Sequence, residues 1–249
     1  MRTAAVPAVP RVSWDTHARW LAAHWGIGDH ISIIAKTKGG KSFLWVYGLL
    51  PIVNDRERVL VIDVKGDDPK LARNMTTVRR YPTRFRRSLD VHQRQHYRLL
   101  VTERNAEARR IVLEALRKAY AESTPQDGVT IVLDEERALT DPLSGQRIGL
   151  GLAGEVDYLA TKGRTRGVTL VRETQGPRWV LGNFYDGSEF VYISRMMDTR
   201  TQRRLAEIGG DTDQIRDVVK TLQRHEFVCV SEGGDRMEIV QVEAPRGAI

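Results

Sequence analysis

Cys229 is the sole cysteine of the sequence, which excludes an internal disulfide and points to a reducing, cytoplasmic setting. Nowhere do 18 apolar residues follow one another without a charge, so no membrane-spanning helix and no direct membrane insertion are expected. The opening stretch MRTAAVPAVPRVSW places Pro7 and Pro10 where a secretory leader needs an unbroken apolar run, so none is expected there. Aromatic residues make up only 7% of the chain, yet 41% of its 249 positions are hydrophobic and 29% charged. That balance suits a single sizeable globular core and argues against a disordered chain.

Arginine is what the chain has in excess. The formal net charge is +7. Between Arg79 and Arg110, ten arginines (79, 80, 84, 86, 87, 94, 98, 104, 109 and 110) face only Asp90, Glu103 and Glu107. This one segment therefore carries the whole excess, and the rest of the chain is balanced. A local cluster suits contact with a polyanion better than a diffuse solubility charge would, and Arg84, Arg86 and Arg87 are the candidate phosphate contacts. The alternative is a solvated basic face.

Apolar runs alternate with helical periodicity along the chain. Residues 1–12 read as an arm, and Ser13 can cap a helix reaching about Trp25, whose Trp14, Trp20 and Trp25 form a packing face or a stacking surface for bases. HISIIA (30–35), VLVIDV (59–64), 97–101, VTIVL (129–133), 168–171 and 190–193 read as buried strands. Helices are expected over 41–53, 106–121, 152–162, 198–208 and 211–224, and a β-hairpin over 226–242. The expectation is an α/β fold with a mostly parallel sheet flanked by helices, divided into an N-terminal arm and helix (1–28) and one domain (29–249).

Three segments carry chemistry. Ala35-Lys-Thr-Lys-Gly-Gly-Lys41-Ser42 lies between a strand and a helix and matches the phosphate loop GxxxxGK[ST] except at its first position. Lys38, Gly39, Gly40, Lys41, Ser42 and Phe43 are the residues expected to hold ATP. The glycines let backbone N–H groups face phosphate at a helix N-terminus, Lys41 reaches the β- and γ-phosphates, and the Ser42 hydroxyl ligates Mg²⁺. VTIVLDEER ends in Asp134, placed to hold Mg²⁺, and Glu135, placed to activate water, as a Walker B strand does. The strand beginning at Val168 ends at Thr174-Gln175, and if it lies between the other two, Gln175 emerges beside the γ-phosphate. Arg164 and Arg166, just before that strand, could complete a neighbouring subunit's site as arginine fingers, with Arg195 and Arg200 as rivals. His92 and His96 are spaced i, i+4 but lack the intervening Glu of a zinc hydrolase.

With VLVIDVKGD, KGRTRGVTLVRETQGP and SRMMDTR added, this ordered set resembles the FtsK–HerA superfamily of P-loop (RecA/ASCE-like) ATPases over residues 30–210. The resemblance implies a ring-forming ATPase that translocates double-stranded DNA, with a trans arginine and a docking partner such as a portal or membrane channel. Viral genome-packaging ATPases and small motors of mobile elements fit its size best, and a compact stand-alone ATPase is expected. Against the family pattern, Ala35 replaces the first loop glycine and Arg172-Glu173 interrupts a usually apolar strand end. The competing reading is a nucleotide-dependent DNA-binding or assembly protein of a plasmid or conjugative element, without motor activity. A small-molecule kinase fits poorly with Glu135 and with the absence of a lid segment, and no Asn-Lys-x-Asp motif supports a GTPase.

Overall fold

A computed structural model describes residues 8–53, 56–83, 85, 96–144, 149–176, 187–198, 202, 205, 212–231 and 235–243. Ten strands form one sheet: β1 (Arg11–Ser13), β2 (His30–Ile34), β3 (Arg58–Asp63), β4 (Thr76–Val78), β5 (His96–Leu100), β6 (Val129–Asp134), β7 (Val168–Thr174), β8 (Ser188–Ser194), β9 (Glu226–Ser231) and β10 (Met237–Gln241). Their order is β1-β10-β9-β8-β2-β7-β6-β3-β5-β4. Every neighbouring pair is parallel except the two that involve β9, which runs against all the others. This is the mostly parallel α/β architecture expected, with β9 and β10 as the C-terminal hairpin, and β7 does lie between β2 and β6.

Both faces of the sheet are covered, which is why its strands read as unbroken apolar runs. Successive residues of a strand point to opposite faces. Val59 and Val61 join Ile31, Ile33, Val132 and Val171 in one core, whereas Leu60 and Ile62 join Ile131, Leu133 and Leu170 in the other. The first core is closed by α1 (Trp14–His24) and by α2 (41–53). The second is closed by α4 (Ala106–Glu122), α5 (Glu136–Thr140) and α6 (Ala153–Lys162). A short helix, α3 (Pro69–Asn74), adds Leu71 to the first core, and α7 (Thr212–Thr221) packs on Ile34, Val191 and Val228.

The middle of α2, Leu44–Leu49, is wound as a π-helix, with the Leu50 N–H donating to the Trp45 carbonyl. Pro51 explains the wide turn. A proline has no N–H to give and its ring crowds the carbonyl of the turn below, so widening that turn lets the helix continue to Val53.

The arm expected over 1–12 ends early. Arg11–Ser13 pairs with β10, and Ile239 donates its N–H to the Pro10 carbonyl at 2.8 Å. Ser13 caps α1 as expected, accepting from the Thr16 N–H at 3.3 Å. Trp25 is buried and Trp14 and Trp20 pack on the same core, so these rings serve packing, and Arg236 stacks over Trp20 at 4.0 Å. The N-terminal helix is thus built into the main sheet. β4, α3 and α5 had no counterpart in the sequence reading, being short elements of three to six residues. Most of the helix expected over 198–208 lies outside the described residues. Among the described residues, no helix is long and apolar enough to cross a membrane.

Candidate functional site

Parallel strands deliver their C-terminal residues to one edge of the sheet, and the turns that leave that edge line its clefts. Here the edge carries a cleft of about 380 Å³ lined by Lys38, Gly39, Gly40, Lys41, Ser42 and Phe43, and also by Lys65, Asp134 and Gln175. The glycines are required by the backbone. Gly40 takes φ 98°, with Phe227 under it, and a Cβ on Gly39 would stand 2.7 Å from the Lys36 carbonyl oxygen. Lys38 itself adopts φ 63°. Ala35 at the first loop position needs no such freedom. It is buried, and its carbonyl accepts the Lys41 ammonium at 2.9 Å.

A set of opposed charges lies beneath the loop. Lys65 Nζ donates to Asp134 Oδ1 at 3.2 Å and stands 3.5 Å from Glu135 Oε2, a buried oxygen that accepts no hydrogen bond. Burial pulls the Lys65 ammonium down, but Asp134 and Glu135 beside it prevail and hold it above its ordinary value. Burial raises Asp134, with Lys65 opposing and Asp63 reinforcing, and burial lowers Lys41 against the pull of Glu173. Glu173 stands on β7 with the same parity as Val171, on the face that α2 covers. Burial, then the neighbouring Asp134, push it up to about 8, against Lys41 and Lys65.

Lys65 is held from below. Asp63 accepts the backbone N–H groups of Lys65 and Gly66 at 2.9 and 2.8 Å, and its other oxygen is gripped by Arg98 at 2.6 Å. Arg98 is buried. One member of the arginine-rich segment therefore serves the fold, because its partner is a buried carboxylate. Arg104 donates to the Val64 carbonyl at 2.9 Å and Arg110 pairs with Glu107 at 2.7 Å. Arg79 and Arg80 are exposed. Arg84, Arg86 and Arg87 lie outside the described residues, as do Arg94, His92 and Arg200. Phe85, between the first of these, is buried under Arg58.

Thr37 donates its hydroxyl to Gln175 Oε1 at 2.9 Å, joining the loop after β2 to the end of β7. Arg164 and Arg166 sit at the opposite edge, before β7 begins. Arg164 binds Asp29 at 2.7 Å and also Glu189, while Arg166 lies over Tyr120 at 5.7 Å and donates to the Ala121 carbonyl at 3.3 Å. Both are held within their own chain. Arg195 follows β8 at the carboxyl edge of the sheet and is exposed.

Sequence reasoning missed Arg224 and His225, which also line the cleft. They arrive there because β9 runs backwards and so starts where the other strands end. His225 takes φ 66° and meets the Phe43 ring edge-on at 4.7 Å. Burial, then Arg224 and Lys70, lower its pKa. Nothing local in the tail marks this pair. Lys65 was visible in DVKGD without a role, and the clue to Glu173 was a charge in a buried strand, which always asks for a partner.

The fold is that of P-loop NTPases. The chain superposes on the genome packaging NTPase B204 from Sulfolobus turreted icosahedral virus 2 in complex with AMPPCP, with TM-score 0.66 and 13% identity over 88% of this chain and 100% of that one. The conjugation coupling protein TcpA of pCW3 gives TM-score 0.56 at 15% identity, over 86% of this chain and 60% of that one. VirB4 of Thermoanaerobacter pseudethanolicus gives 0.61 at 12%, over 87% and 89%. The family resemblance carried by the motifs is thus matched in fold. No protein-family model and no curated protein sequence matches the chain.

Proposed function

We propose that this chain is an ATP hydrolase that works as a ring-forming double-stranded DNA translocase, of the kind that packages viral genomes. One observation carries the reading: a single cleft at the carboxyl edge gathers the 38–43 loop, Asp134 and Gln175, with Glu135 directly behind Lys65. The first turn of α2 leaves its N–H groups unspent and its positive dipole end toward the triphosphate, which Lys41 reaches from below. The Ser42 hydroxyl and the Asp134 carboxylate are oxygen donors lining the same cleft, the donor type Mg²⁺ takes, and these two would hold it. Bound there, Mg²⁺ would offset charge on the β- and γ-phosphates.

Glu135 is the base. Its carboxylate takes a proton from the attacking water as the water oxygen bonds to the γ-phosphorus and the bond to the bridging oxygen of ADP breaks. Gln175, bonded to Thr37, passes the loss of the γ-phosphate to β7. An arginine of a neighbouring subunit offsets the developing charge. Arg164 and Arg166, at the far edge from their own cleft, are the candidates for that role, with the exposed Arg195 as a rival. The exposed Arg79 and Arg80, with the 84–87 arginines, grip the phosphates of DNA without reading its sequence.

The test is the steady-state ATPase rate over a series of protein concentrations, with and without double-stranded DNA, with Glu135→Gln as control. A shared-site DNA motor gives a rate per subunit that climbs with concentration and rises further with DNA. A DNA-indifferent rate, first order in protein, removes both the trans arginine and the motor. What would then remain is a nucleotide-dependent assembly protein.

A further inference from the structure

The residue after the proposed base is as unusual as the base itself. Glu136 is fully buried and so is Arg172, the charge that interrupts β7. They meet through two parallel contacts, Arg172 Nε donating to Glu136 Oε2 at 2.6 Å and Nη2 to Oε1 at 2.7 Å. A two-pronged contact of this kind fixes direction as well as distance. Burying it gives little stability by itself, because the cost of desolvating each ion offsets their attraction and apolar residues of similar volume often serve as well. Something other than stability is needed to explain the pair.

Glu135 supplies it. It sits at φ 68°, ψ 73°, a left-handed conformation that strains a residue with a Cβ and persists only where its surroundings impose it. Those surroundings are few. The Ala138 N–H donates to the Glu135 carbonyl at 2.9 Å, Lys65 faces its carboxylate, and the next residue is clamped by Arg172. The clamp comes from β7, whose last residue, Thr174, directly precedes Gln175, and the pleat that turns Arg172 toward α5 turns Glu173 toward Lys41.

We propose that Arg172 is a positioning residue for hydrolysis: through its fork onto Glu136 it holds the left-handed turn that aims Glu135, and it ties that aim to the strand bearing Gln175. The inference rests on Glu135 being the base. A displaced base loses rate far more than it loses affinity, and misplacement by about 1 Å can cost about a hundredfold.

The experiment compares Arg172→Lys, which keeps the charge without the fork, with the double variant Arg172→Met, Glu136→Gln, which removes both charges together. Glu135→Gln is carried alongside. For each, the affinity for Mg·ATP, the single-turnover hydrolysis rate and amide exchange over 134–140 without nucleotide are measured. Both clamp variants are expected to bind within about twofold of the parent, to hydrolyse about 10–100-fold more slowly, and to exchange faster over 134–140. Parental rates in folded clamp variants, while Glu135→Gln is silent, overturn the proposal and leave the base in place. A loss of affinity in step with rate makes the pair merely structural and also overturns it. Normal turnover by Glu135→Gln removes the base assignment itself. If the double variant does not fold, Arg172→Lys decides by the same readouts.

Discussion

Lys41 shows how much of the cleft depends on single side chains. It is 7% exposed, its ammonium rests on the Ala35 carbonyl, and carboxylates lie on its far side. Lys41→Ala is expected to weaken Mg·ATP binding at least about tenfold, the value of one charge-assisted contact, measured by titration with a fluorescent analogue. Glu135→Gln should bind with near-parental affinity and lose at least about a hundredfold in single-turnover rate, and a normal rate would remove it as the base. Gly39→Ala is expected to weaken binding as well, since its Cβ would collide with the Lys36 carbonyl oxygen at 2.7 Å. An unchanged affinity there would mean the loop can shift aside. These residues were legible in the sequence because each lies within a short motif whose spacing the chemistry dictates. Arg224 and His225 were not, because only the reversal of β9 brings them to Phe43.

Elements owe their places to pattern and to partners in different measure. β3, β6 and β7 were readable as continuous apolar runs, and α4 by its periodicity, within a residue or so at most ends. The strand from Val168 was followed to Thr174-Gln175, but the partners of its two charges were not legible, because Glu136 and the α2 face receive Arg172 and Glu173 only in the fold. β1 was hidden because three residues of edge strand carry no period, and its place comes from β10. Beside it, α1 is tied to the sheet by His17, which contacts Glu238 at 2.5 Å and the Tyr192 hydroxyl at 2.7 Å, all three buried. His17→Ala is expected to cost roughly 1–3 kcal/mol by leaving buried polar groups short of a partner, read as a lower urea midpoint. No change in midpoint would mean that α1 is held by its tryptophans alone.

For the molecule as a whole, buried titratable groups pull the pH dependence of stability in opposite senses. His30 is buried at the start of β2, contacting the Ala160 carbonyl through Nε2 and accepting the Leu170 N–H at Nδ1. Burial first, with Arg172 and Arg164 adding, holds its pKa at about 4 against an ordinary 6.5. The unfolded chain therefore takes up a proton that the folded one refuses between those values, so stability present above pH 6.5 drains away as pH falls toward 4. His17, lowered by its own burial, acts in the same sense. The expected loss from His30 is about 3 kcal/mol. Glu173, pushed up to about 8, opposes this over the same range, so the His30 share is read by difference: the urea midpoint of His30→Asn, which keeps an acceptor for Leu170, should gain on the parent's as pH falls from 7 to 5. A gap between the two that stays constant with pH over that range would sink this account.

The sheet's two borders have a consequence for assembly. Its outermost strands, β1 and β4, are three residues each, too short to offer a neighbour a long row of free backbone N–H and C=O groups. Among the described residues, these borders therefore give copies of this chain little backbone along which to join their sheets. In the ring proposed above, the joints would fall to side chains, whose contacts would let go and re-form if one subunit turned against the next.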